Sequence, residues 1–388
     1  MSTSFRRMSL STAALTAGCA AIALVAAPVN AAGVGPAGPT SAAYTADGFD
    51  AVFVQTDNTA GNQVVAYQRA ADGTLALAHT YDTGGLGGVL TGSVVDHTAS
   101  QGALTYDRAH HLLYAVNAGS DTVSVFAVHG TDLTLNQVVS SGGAFPVSVA
   151  VRGDVVYVLN AENGASVQGY RVAGGRLELK KNWNRQLGLP SDGTPQFTHT
   201  PGQVGFTGDG TQLLVTTKAA SNDVLVYRLG FDGAPAQTPT VNAFPGAVPF
   251  AFVDTGRHEI ALAQAGTDTV VGYRVNADGT LTQRSSYATG QAGTCWIARS
   301  GDLLFASNAG SATETGIRLG EHGGLTGLGD TGTDLGTVDA AATGHNLYIQ
   351  TGHAGIVDEY AIAADGSLTQ IGSVTVAQGA GGEGIAVG

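Results

Sequence analysis

The sequence predicts an all-β, seven-bladed β-propeller of four-stranded antiparallel blades, closed into a ring by its C-terminal strand. Three observations carry this: a strand pair that recurs seven times, Asp-Gly turns that recur behind it, and a last segment with no blade of its own. The later strand of each pair is marked by Tyr67, Phe126, Tyr170, Tyr227, Tyr273, Ile317 and Tyr360, in steps of 59, 44, 57, 46, 44 and 43 residues. The earlier strand is marked by Phe53, Tyr114, Tyr157, Leu214, Ala261, Phe305 and Tyr348, always 12 to 14 residues before its partner. The runs around these markers are short and partly alternate, as at Val123 and Val125, which is strand and not helix periodicity.

The remaining elements follow in order. Behind the marked strand come Ala71-Asp72-Gly73, Ala277-Asp278-Gly279 and Ala364-Asp365-Gly366, each with a Leu two residues on. Asp-Gly supplies the positive-φ positions of a tight hairpin. A further strand follows each unit, at 101–107, 146–151, 201–207, 248–254, 294–299, 336–342 and 383–387. Four short strands in about 44 residues is the size of a propeller blade. The last of these strands, in GEGIAVG, ends the chain, and none precedes the first unit. It must complete the first blade, which leaves no large unpaired edge. The 57 glycines then fall to turns and to crowding of inner strands near the axis.

Two units are longer, with insertions at 84–100 and 180–200. Both join an outer strand to the next inner strand. In antiparallel blades successive loops alternate between faces. The insertions therefore share a face with the polar loops after the second strands, such as Asn160-Ala161-Glu162-Asn163 and Lys218-Ala219-Ala220-Ser221. Loops on a rigid frame are where such scaffolds carry function.

The start of the 388-residue chain has a different character. Arg6-Arg7 precede an apolar run at 13–27, and Val29-Asn30-Ala31 places small residues before Ala32. Residues 1–31 read as an export signal cleaved after Ala31, 32–43 as a short linker and 44–388 as one propeller domain. The expected location is extracellular, by the general secretory or the twin-arginine route. Cleavage would leave 15 Lys+Arg against 30 Asp+Glu, a net charge of −15. So acidic a chain, with no basic run, is repelled by nucleic-acid phosphates and anionic membranes, and neither is expected as a partner. One cysteine, Cys295, would remain, so no internal disulfide is expected. The ring is expected to act as a monomer.

YAVNAGSDTVSVF at 114–126 and GYRVNADGTLT at 272–282 resemble the lactonase family of seven-bladed propellers, which includes 6-phosphogluconolactonases and carboxymuconate-lactonizing enzymes. The resemblance extends over residues 44–388 and implies hydrolysis of a small lactone; an acidic chain repels anions, so a non-phosphorylated one is expected. Family members carry Gly-Pro-Arg-His at an inner strand and Asn-Glu at the end of the next. Here Gln203 and Val204 stand at the first pair and Thr216 and Thr217 at the second. Any hydrolysis must use other groups.

Lactone opening needs a base for water and donors for the developing oxyanion. Blades 3 and 4 offer both types on the long-loop face. Glu162 or His199 would serve as base, with Lys218 as the third catalytic candidate, stabilising charge. Asn160 and Gln203 would bind substrate, and Trp183 would stack on a flat ligand or anchor its loop. The rival function is a non-catalytic propeller binding a carbohydrate, metabolite or protein on that face. No cofactor or metal is expected: His110-His111 point apart along a strand turn and the other histidines lack ligand spacing. Cys295 reads as a buried small hydrophobe. Asp121, Asp223 and Asp268 recur before third strands and read as loop hydrogen-bonders.

Overall fold

Burial divides the strands of each blade by position. Second strands are sandwiched between neighbouring blades, so Leu112–Asn117 and Asn346–Thr351 are buried at every residue. Outer strands such as Leu281–Ala288 alternate toward solvent. The computed structural model describes residues 50–388; the proposed signal at 1–31, the linker at 32–43 and positions 44–49 of the expected propeller lie outside the described residues.

Seven antiparallel sheets form around an axis in chain order. The first combines Ile385–Val387 with Ala51–Gln55, Gln63–Arg69 and Leu75–Asp82, with Val52 opposite Val387 and Val54 opposite Ile385. The C-terminal strand thus closes blade 1, as the sequence predicts. Blade 3 departs from four strands because its outer strand is broken into Arg176–Leu179 and Arg185–Gln186 on either side of Trp183.

The recurring markers have two structural causes. In five blades the register of the third and fourth strands shifts just before the marker, at Ala66/Tyr67, Val125/Phe126, Gly272/Tyr273, Gly316/Ile317 and Glu359/Tyr360. Such a bulge strengthens the twist of the outer strand. Several buried tyrosines also reach the next blade with their hydroxyls. Tyr157 Oη donates to the Gly233 carbonyl (2.7 Å) and Tyr348 Oη to that of Gly73 (2.7 Å), so the hydroxyl is satisfied while the ring fills the interface. The predicted hairpins are present: Gly73 and Gly366 sit at φ +90°, and Asp72 and Asp365 accept from the residues two positions on.

The first insertion turns inward. Gln101 exchanges two hydrogen bonds with the Ile297 backbone of blade 6 (3.1 and 2.9 Å), and Trp296 Nε1 donates to the Ser100 carbonyl (2.5 Å). Ser100 Oγ donates to Val147 of blade 3, the Gln101 N–H to Gly202 ahead of blade 4, and the His97 N–H to Gly381 ahead of the closing strand. Residues bonded to such widely separated blades cross the axis, and 95–101 plug it. Gly352 admits them: a Cβ there would lie 1.6 Å from the Val95 carbonyl oxygen.

Candidate functional site between blades 3 and 4

The second insertion stays at the rim. Trp183 is buried, stacked on Tyr157 with ring centroids 6.1 Å apart, and the Arg171 guanidinium lies 5.6 Å from its ring. An indole so covered anchors the insertion; it is not the exposed stacking platform that a ligand-binding role requires. Beyond it, 187–200 folds back over the loop after the second strand of blade 3. The Leu187 and Leu189 N–H groups donate to Ala165 and Gly164. Between them lies a cavity of about 310 Å³. Its walls include Glu162, Asn163, Leu189, Ser191, Gln196 and His199.

Glu162 and His199, the two base candidates, therefore share one cavity. Glu162 Oε1 accepts from Gln196 Nε2 (2.9 Å). His199 Nδ1 lies 2.9 Å from the Pro195 carbonyl and 2.8 Å from Thr198 Oγ1. A carbonyl can only accept, so the network places a proton on Nδ1, and the neutral form of the ring then carries its lone pair on Nε2. Asn163 and Gly164 also line the cavity, and their backbone N–H groups make no hydrogen bond among the described residues. Asn163 and Gly164 have φ of +54° and +84°. Among the described residues no lysine or arginine lines the cavity.

The other candidates sit elsewhere. Lys218 is 1% exposed, and its Nζ donates to the carbonyls of Ala99 (2.5 Å) and Phe197 (2.6 Å). It staples the two insertions from beneath instead of facing a substrate. Burial lowers its pKa to about 7 against the opposing pull of Asp96. Asn160 is fully buried and spends Nδ2 on the Ser141 carbonyl and Ser166 Oγ. Gln203 bridges to blade 5, accepting from the Phe252 N–H (2.6 Å). Thr216 Oγ1 likewise donates to the Phe250 carbonyl (2.5 Å), so the positions where the family's polar pairs would stand join blades here. Asp121 and Asp268 brace the next inner strand by accepting from Phe145 and from Gly293 and Thr294; in blade 4 the residue in this role is Asn222, not Asp223.

Sequence reasoning missed Gln196, Asn163 and Gly164, and it missed a group of buried acids at the axis. Glu383 lies within hydrogen-bond distance of Thr98 Oγ1 (3.1 Å) and Ser100 Oγ (3.2 Å) and accepts from the Gly102 N–H (3.0 Å), while its own N–H donates to Asp57. Burial raises Asp57 and Asp339 to about 7 and Asp96 to about 6; Glu383, hydrogen-bonded to Asp339, lies well above the ordinary range. Acids inside apolar strands, such as Asp339 in TVDAAA and Glu314 in TETGI, were the available signal. Among the described residues no group of three or more His, Cys, Asp and Glu is arranged to hold a metal ion.

Comparison with known proteins fits this architecture. Residues 59–191 match the family model described as lactonase, 7-bladed beta-propeller. Over that stretch, about a third of the chain, the sequence is similar to the lactonase family. Among solved structures it resembles the periplasmic gluconolactonase PpgL of Pseudomonas aeruginosa at 17% identity, covering 87% of this chain and 98% of that one with a TM-score of 0.67. A proposed 6-phosphogluconolactonase of Bacteroides fragilis gives 18% identity, 89% and 99% coverage and a TM-score of 0.66. A protein from Lactobacillus plantarum gives 19%, 87% and 99%, and 0.68. At these identities the structures speak to the propeller fold of this chain and not to its substrate. No curated protein matches it in sequence. No helix among its described residues is long and apolar enough to cross a membrane.

Proposed function

We propose that the protein is an exported hydrolase of small, uncharged lactones, working in the cavity between blades 3 and 4. The observation that carries this reading is the meeting of Glu162 and His199 in one cavity of a lactonase-type propeller. A water held by the Glu162 carboxylate or by His199 Nε2 gives up its proton as its oxygen attacks the lactone carbonyl. The ring C–O bond then breaks, and the leaving alkoxide takes a proton back. The unpaired N–H groups of Asn163 and Gly164 are the donors at hand for the oxyanion, in place of Lys218. The lack of a lysine or arginine in the wall disfavours phosphorylated or carboxylated substrates. The burial of Trp183 removes the feature on which a carbohydrate-binding role rested.

The test is a panel of neutral and phosphorylated lactones assayed with the parent, Glu162→Gln and His199→Ala. Turnover of neutral lactones that falls by about two orders of magnitude in at least one variant, with unfolding unchanged, supports the reading. Turnover that survives both changes sinks this site.

A further inference from the structure

Gln196 stands where three segments meet. The Thr91 N–H of the first insertion donates to its Oε1 (2.8 Å), and its Nε2 donates to Glu162 Oε1 (2.9 Å). The orientation of the amide is fixed chemically. A backbone N–H can only donate, so Oε1 must face Thr91, which turns the two N–H donors toward the carboxylate. Around this bond the insertions already touch: the Phe197 N–H reaches the Thr91 carbonyl (3.4 Å), and Gly92 lies against the rings of Pro195 and Phe197. Lys218 ties the same pair below, through Ala99 and Phe197. Glu162 Oε2 makes no hydrogen bond among the described residues, so one carboxylate oxygen is held and the other is left for the cavity.

We propose that Gln196 is the positioning residue of this site: its amide clasps the first insertion to Glu162 and aims the carboxylate at the cavity. The inference rests on the hydrolase reading above but adds a residue and a coupling to it. Thr91 and the axial plug at 95–101 belong to one length of chain, and the Gln196 amide is where that length meets Glu162 in the wall of the rim cavity. Glu162 leaves the second strand of blade 3 on a short loop, with only its N–H bond to Ala144 and its carbonyl bond from Ala165 fixing the backbone. Its side chain has free torsions beyond those anchors, and the amide removes that freedom. Catalysis is sensitive to such placement, since misalignment on the order of 1 Å costs up to about 100-fold in rate.

Two substitutions separate positioning from plain loop stability. Gln196→Leu keeps the length but neither hydrogen bond. Gln196→Glu keeps an acceptor for Thr91 and sets a like charge against Glu162 in place of a donor. Positioning requires both to lower kcat on a neutral lactone by about 10-fold or more, with KM changing by less than about threefold. If Gln196 only secures the loops, Gln196→Glu behaves as the parent and Gln196→Leu mainly raises KM; that result overturns the proposal. An arm free of turnover keeps the two readings apart. Hydrogen exchange at the Thr91 amide is measured in the parent and in Glu162→Ala. A clasp acting as one unit gives faster Thr91 exchange, by about 10-fold, once the carboxylate is gone. Unchanged exchange refutes the clasp whether or not lactones are hydrolysed. A coupled Thr91 in a protein that opens no lactone refutes the hydrolase reading and leaves the clasp standing.

Discussion

Replacing Glu314 by Gln should make the protein less sensitive to rising pH. Glu314 is fully buried in the third strand of blade 6, where Oε2 accepts from Ser307 Oγ (2.8 Å) and Oε1 has no partner. Burial, with Asp339 nearby, pushes its pKa from 4.5 up to about 8. The unfolded chain releases this proton near the ordinary carboxyl value, while the folded protein keeps it to about pH 8. The contribution of Glu314 to stability is therefore complete below about pH 4.5 and is lost progressively as pH rises toward about 8. The loss is about 1.4 kcal/mol per pH unit and on the order of 5 kcal/mol as an upper limit across the window. Glu314→Gln preserves the acceptor for Ser307 and carries no proton to lose. Denaturant unfolding from about pH 5 to about pH 8 should give a variant curve flatter than the parent's by close to one proton's slope. Asp57, Asp96, Asp339 and Glu383 leave part of the decline in place, since each is raised in the same direction. Parallel stability curves for parent and variant would refute the assignment of a buried, protonated Glu314.

Other substitutions test the anchors around the site. Trp183→Ala should cost about 3–5 kcal/mol in denaturant unfolding, because it empties the space between Tyr157 and Arg171 and frees the broken outer strand of blade 3. Lys218→Met should destabilise by about 2–4 kcal/mol by leaving the Ala99 and Phe197 carbonyls without a donor. Its kcat should fall by much less than the roughly 100-fold of a lost oxyanion donor. His110 is raised above its ordinary pKa of 6.5 chiefly by its hydrogen bond to Asp107, with Asp154 of blade 3 beside its other nitrogen. That stabilisation is full below about pH 6.5 and is lost as pH rises through the folded value, so thermal unfolding of His110→Gln should match the parent's more closely at alkaline pH than at acid pH.

What repeats was the most legible part of the sequence, and the path of each insertion was the least. The aromatic and apolar markers recur because each blade needs the same buried positions, and the Asp-Gly turns recur because each hairpin needs the same positive φ. Chain closure followed from counting: a strand at 383–387 with no blade of its own had one place to go. The insertions carry no period, so their direction was invisible. One entered the axis through side-chain bonds from Gln101 and Ser100 to blades far away in sequence, and the other lay flat on blade 3. Glu162 and His199 could be placed together from the sequence because loop alternation puts them on one face of adjacent blades, and they line one cavity. Lys218 was on the same face yet points inward, since its side chain meets two carbonyls below the surface. Strand order sets a face; it does not set the rotamer of a long side chain.

Placing the chemistry at the rim has a consequence for product release. A neutral lactone carries no charge into the cavity, but its hydrolysis leaves a hydroxy acid that ionises at neutral pH. On the proposed reading the product departs against Glu162, with no lysine or arginine among the described residues of the wall to hold it, from a chain whose formal net charge is −13. Repulsion from both sources weakens product binding without touching the neutral substrate. Salt screens that repulsion, with a Debye length that shrinks from about 30 Å at 0.01 M to about 8 Å at 0.15 M. Inhibition by the product acid should accordingly tighten as ionic strength rises over this range, by about threefold or more, while KM for the neutral lactone stays nearly constant. Steady-state rates with added product at several salt concentrations measure both. Product inhibition that weakens with salt would mean that a cation holds the leaving carboxylate, and the reaction would then have to be moved away from the cavity of Glu162 and His199.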